Sequence, residues 1–168
     1  MKFLPLLLVT VALTLTAGCK PKAKDIPPLQ RKQAANLVSE GQFALTLRDF
    51  ARAEPLFEQA ARLCPDNGDY WVNLGVARRR QGNKSGAKAA YEQARAAYRD
   101  AFEIDPRQSD ALLQEVYTLA LLGRPDDARK ALAKAQQRLP DNRGIKGFAE
   151  TKQLDRLLED PGFKEIAL

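Results

Sequence analysis

The side chains able to do chemistry are few in kind. The 168-residue sequence contains no histidine, which removes the commonest general base, the Ser-His and Cys-His nucleophile pairs and the commonest zinc ligand. An enzyme built on this chain would have to work with carboxylates, with lysine, or with a serine beside lysine. The carboxylates close in sequence are Asp126 with Asp127, Glu159 with Asp160, and Asp66 with Asp69. Each falls where a helix is expected to begin or a turn to form, and a carboxylate there accepts from exposed N–H groups and meets the positive end of the helix dipole. No G-x-S-x-G, phosphate-binding loop, C-x-x-C or H-E-x-x-H occurs. Cys19 and Cys64 sit in different settings, so no disulfide framework is expected. Cys64, directly before Pro65, reads as a part-buried, passive thiol. The expectation is a protein with no catalytic site, no metal and no cofactor.

The charge balance points the same way. Lys and Arg outnumber Asp and Glu by six (27 against 21), a mild excess spread along amphipathic stretches rather than gathered on one face. A nucleic-acid binder concentrates its cations and interleaves aromatic or groove-reading residues. Nucleic acid is therefore not expected as a partner.

The first nineteen residues bear on compartment. Met1-Lys2 precedes an uncharged run from Phe3 to Ala17, shorter than the roughly 20 apolar residues a spanning helix needs. One basic residue, a short apolar stretch and small residues before a cut point describe a secretory signal. Leu15-Thr16-Ala17-Gly18-Cys19 resembles the lipobox of bacterial lipoproteins, with Thr16 standing where leucine is usual. The resemblance implies a signal peptide over residues 1–18 and lipid attachment at Cys19, whose sulfur becomes the thioether. Acyl chains at about 0.8 kcal/mol per buried methylene would hold such a protein on a membrane. Residues 19–33 are rich in Pro and Lys and are expected as an extended tether. Lys20 after the cysteine, in place of the aspartate that favours inner-membrane retention, implies the periplasmic face of an outer membrane.

The remainder shows internal periodicity. Gly68-Asp69-Tyr70-Trp71-Val72-Asn73-Leu74-Gly75 opens the clearest unit, with Trp71, Leu74 and Gly75 at W-x-x-L-G spacing, followed by Gly82, Ala87, Tyr91, Ala101 and Pro106. This resembles the tetratricopeptide repeat (TPR). Aligning back from Pro65 gives a first unit, 34–67, carried by Gly41, Phe50, Ala53, Phe57 and Ala60; aligning from Pro140 gives a third, 109–142, carried by Leu112, Gly123, Ala128, Leu132 and Ala135. In the third unit Val116 replaces the first-helix glycine. The resemblance implies an all-α fold: a short right-handed α-solenoid of three helix-turn-helix repeats (34–67, 68–108, 109–142) with C-terminal capping helices over 143–168. In that cap Phe148, Thr151, Leu154, Leu157 and Leu158 make the inward stripe for the third repeat, and Phe163 and Ile166 fold a last turn back on the end.

The resemblance also implies where binding would occur, on a groove lined by first helices. Its places fall on Ala35, Val38, Gln42, Leu45 and Thr46, on Asp69, Val72, Val76, Arg79 and Arg80, and on Asp110, Leu113, Tyr117, Ala120 and Leu121. That surface is largely apolar, with one cationic spot and one aromatic, and apolar exposure of this kind marks a binding site. The carboxylate clamp of chaperone-docking repeats would need basic and amide residues at Val38, Gln42, Asn73, Asp110 and Gln114, and only Asn73 agrees. The implied function is a membrane-anchored adaptor that joins protein partners in assembling a cell-envelope complex. A periplasmic small-ligand binder and an accessory subunit of an envelope enzyme are the alternatives.

The middle unit is seven residues longer than its neighbours (41 against 34). Seven residues add about 10 Å and close to two full turns, so the buried face keeps its phase. Ala87, Tyr91, Ala94, Tyr98 and Ala101 recur at steps of four and three. One unbroken helix from near Ser85 to near Ile104 is expected, overhanging its neighbours by about two turns. Its end around Tyr98 is a second candidate contact surface for a partner or another copy of the protein, the alternative being that neighbouring loops and the adjacent helix cover the extra turns.

Overall fold

The computed structural model describes residues 21–168, and every described element is helical. The helices are α1 (Pro28–Thr46), α2 (Phe50–Leu63), α3 (Gly68–Arg80), α4 (Lys84–Ile104), α5 (Asp110–Leu121), α6 (Pro125–Arg138), α7 (Arg143–Glu150), α8 (Gln153–Glu159) and α9 (Pro161–Ile166). From α1 to α6 each helix packs on the next one in sequence, the order of a stack in which each hairpin is covered only by its neighbours.

Glycine facing an aromatic ring draws the first two hairpins together. A Cβ on Gly41 would stand 2.7 Å from the Phe57 ring, and one on Gly75 would collide with Tyr91. Phe57 and Tyr91 are fully buried, worth roughly 2–3 kcal/mol each relative to exposure. In the third hairpin Val116 takes the small residue's place and Leu132 the ring's, both in one apolar cluster.

The three hairpins turn in the same way. Arg48, Gly82 and Gly123 all take left-handed φ, at 59°, 82° and 67°. The following N–H reaches back five residues in each: Asp49 to Ala44 O, Asn83 to Arg78 O and Arg124 to Leu119 O, at 2.9, 2.9 and 3.0 Å. This double-bonded C-terminal turn satisfies carbonyls the helix end would otherwise leave bare. The next helices start on side-chain caps where the sequence supplies them: Asp49 accepts from Arg52 N, Asn67 from Asp69 N and Asn83 from Gly86 N.

The structure departs from expectation in three places. First, the tether expected to run to residue 33 gives way to helix at Pro28, a residue whose fixed φ and missing N–H suit a first helical position. Ile26, just before it, packs against the first core cluster.

Second, α4 is unbroken over its 21 residues, as its phase predicts, yet it does not overhang. Tyr98 is only 7% exposed. Its ring lies against Gly68, and its hydroxyl donates to Asp69 Oδ1 at 2.5 Å. Phe102 and Ala94 join Leu112, Ala135 and Ile145 in the third core cluster. The extra turns are covered by the start of α3 and by α5, α6 and α7, so Tyr98 is not a contact surface.

Third, the C-terminal segment does more than cap. Helix α7 packs on α6 and α5 as a cap should, but α9 turns back and packs on α3. Phe148, Leu154, Leu157 and Leu158 share the second core cluster with Phe163 and Ile166, whereas Thr151, expected in the same stripe, is exposed where α7 ends, its hydroxyl donating to Gly147 O.

Candidate protein-binding groove

Helices α1, α3 and α5 present one face of the stack, and the groove is built there. From α1, Gln42 and Thr46 are exposed and Leu45 is half-buried; the Thr46 hydroxyl donates to Phe43 O within its own helix. From α3, Val72, Val76, Arg79 and Arg80 are half-buried, and from α5, Leu113 and Tyr117 are half-buried. Leu45, Phe50, Val76 and Arg80 converge with Arg48 and Glu165 on a cleft of about 450 Å³.

Ala35, Asp69 and Asp110 are exposed, whereas three other places implied by the resemblance are closed. Val38 (8% exposed), Ala120 (1%) and Leu121 (0%) belong to the core. Leu121 contributes only its carbonyl, which accepts from Leu168 N at 2.9 Å. It is thus a main-chain contact rather than an apolar lining residue, because the packing of α5 turns its side chain inward.

The three arginines that end α3 do different things. Arg78 turns to α2, donating to Glu54 Oε1 at 2.9 Å and Glu58 Oε1 at 3.2 Å. Arg62 and, less strongly, Arg78 hold the Glu58 carboxyl below its ordinary range. Arg79 donates through Nε to Ala167 O at 2.7 Å. Arg80 pairs with Glu165 and lies 6.0 Å from the centre of the Phe50 ring. The expected cationic spot exists, and the chain's own C-terminal segment engages it.

Tyr117 meets the same segment, its ring set edge-on to Phe163 at 5.6 Å and 64°. Burial pushes its phenol above the ordinary value. Tyr91 reaches the segment from α4, its hydroxyl donating to Ile166 O at 2.7 Å. Arg79, Arg80 and Tyr117, chosen from repeat position, are therefore gathered around one nine-residue stretch, 160–168. Position on the repeat does not reveal Phe50, Tyr91 or Glu165 as neighbours of the groove. Phe163 and Ile166, three apart on one side of a short helix, are the only sequence sign that the stretch docks.

Cys19 lies outside the described residues. Cys64 is buried, and burial raises its thiol above the ordinary value, in keeping with a passive role. Among the described residues no cluster of three or more His, Cys, Asp or Glu side chains is placed to hold a metal ion, and no helix is long and apolar enough to cross a membrane.

Residues 39–94, spanning most of the first two hairpins, match the tetratricopeptide repeat family model. Among solved structures the Arabidopsis OM64 TPR domain is similar, at 20% identity over 76% of this chain and 98% of that one, with a TM-score of 0.44. No curated protein matches the chain. Over residues 39–94 the chain is of tetratricopeptide-repeat type.

Proposed function

We propose that this protein is a lipid-anchored tetratricopeptide-repeat adaptor that brings protein partners together during assembly of a cell-envelope complex. One observation carries the adaptor reading: successive first helices place Leu45, Val76 and Tyr117 with Arg79 and Arg80 on one face, an apolar lining with cationic points suited to protein recognition. The anchor rests on Thr16-Ala17-Gly18-Cys19, and the site of action, the periplasmic face of the outer membrane, on Lys20 beside it. The Pro- and Lys-rich stretch between Cys19 and α1 supplies a short reach from the bilayer.

Purification of the tagged chain from detergent-dissolved membranes tests the whole reading. The expected result is a stoichiometric protein partner on a palmitate-labelled chain, with Cys19→Ser removing the label and leaving unprocessed precursor. A copurifying small molecule in place of a protein would overturn the adaptor reading. A Cys19→Ser chain that is still cleaved and merely released would overturn the anchor.

A further inference from the structure

The C-terminal stretch is held like a ligand. Helix α9 has six residues, far below the roughly 12 that an isolated helix needs for even marginal stability in water, so its shape depends on what it touches. Asp160 starts it by accepting from Phe163 N at 2.7 Å. Phe163, 5% exposed, and the half-buried Ile166 are its apolar anchors. Its end is gripped through the main chain: Tyr91 Oη donates to Ile166 O, Arg79 Nε to Ala167 O, and Leu168 N to Leu121 O. Tyr91 and Arg79 thereby satisfy carbonyls that a helix end leaves without partners. Glu165 adds one charge contact, to Arg80.

These contacts define what else would fit. Main-chain capture is tolerant of sequence, so selectivity comes from the aromatic anchor on Tyr117, the acid on Arg80 two residues later and the aliphatic residue three later. Beside α9 the cleft between Leu45, Phe50 and Val76 remains open, giving an incoming chain a place to start before α9 has left.

We infer that the first-helix groove is a peptide site whose resident occupant is Asp160–Leu168, and that the partner presents a short helical segment of the same chemistry, aromatic, then acidic, then aliphatic, which binds by displacing α9. This rests on the groove being the binding face, as proposed above. A tethered segment competes at an effective concentration of order millimolar, so the native chain answers only to a partner with further contacts, such as those in the open cleft.

The test uses the full chain and a fluorescent synthetic peptide with the sequence of residues 159–168. Phe163→Ala with Ile166→Ala removes both anchors and leaves α3, α5 and the arginines intact. This variant should bind the peptide at least about tenfold more tightly than the native chain does, and adding Arg79→Ala should weaken that binding. A folded double variant that ignores the peptide would overturn the inference. Should the double variant unfold, amide exchange on the native chain decides: α9 amides exchanging well before those of α3 and α5 support displacement, whereas exchange of all three together contradicts it. If cross-links from the groove capture a partner while the peptide fails, the groove reading survives and only displacement falls.

Discussion

Gly75 and Tyr91 set the separation of α3 and α4: the ring occupies the volume where any side chain at residue 75 would begin. Gly75→Ala should therefore cost about 1–3 kcal/mol through overpacking, measured by urea unfolding; a neutral substitution would mean that the ring is free to move aside. The tyrosines make a second claim. Burial raises the Tyr91 and Tyr98 phenols far above their ordinary value, helped in Tyr98 by its bond to Asp69. A folded value raised above the unfolded one, about 10, means that their contribution is complete below that pH and lost as pH rises through the folded value. In an alkaline titration their phenolate absorbance should appear together with loss of helical signal. Ionisation of both with the helices intact would contradict the burial described. The grouping of Arg79, Arg80 and Tyr117 was legible from repeat position, because a 34-residue period fixes which side of a first helix each residue faces. The fate of Tyr98 was not. Its spacing continues the seam along α4 without saying what covers it, and Gly68, which makes room for the ring, reads in sequence only as the start of α3.

Turns and caps make the helix boundaries legible. Gly82 and Gly123 stand at the turns of their repeats in sequence as in structure, since each takes a left-handed conformation at no steric cost, and in the structure Asn67 and Asn83 add the cap oxygens of α3 and α4. Arg48 fills the same left-handed place without glycine's freedom. Arg48→Gly should stabilise the fold by about 1 kcal/mol, read as a higher urea midpoint with unchanged slope; a loss of stability would show that the Arg48 side chain contributes more than its backbone costs. Two elements ran against local rules. Pro55 lies inside α2 without ending it; Ala51, whose carbonyl loses its N–H partner, is exposed, so water can take that bond. Helix α1 starts at Pro28, inside a stretch whose composition reads as spacer. Helix α9 was visible as a short turn, but not as the occupant of the groove. Two apolar residues give no period, and its strongest bonds run to main-chain carbonyls, which sequence does not distinguish.

At the scale of the molecule, the chain stacks hairpin on neighbouring hairpin and then breaks that order once, sending its last residues from the third hairpin back to the second. Local periodicity predicts the stack because each contact repeats at a fixed spacing. The return joins residues 75 to 88 apart, as Tyr91 to Ile166 and Arg79 to Ala167, and no repeat carries that information. The result is a first-helix face with one part filled by α9 and another part open around Leu45, Phe50 and Val76. The central claim is that protein partners meet the molecule on this face. The most direct measurement is photocross-linking in intact envelopes from a benzophenone side chain at Gln42 or Thr46, both exposed on α1, with Lys130, exposed on α6, as the control. The account predicts a protein adduct of defined mass from Gln42 and Thr46 and none from Lys130; the same adduct from all three positions, or from Lys130 alone, would contradict it.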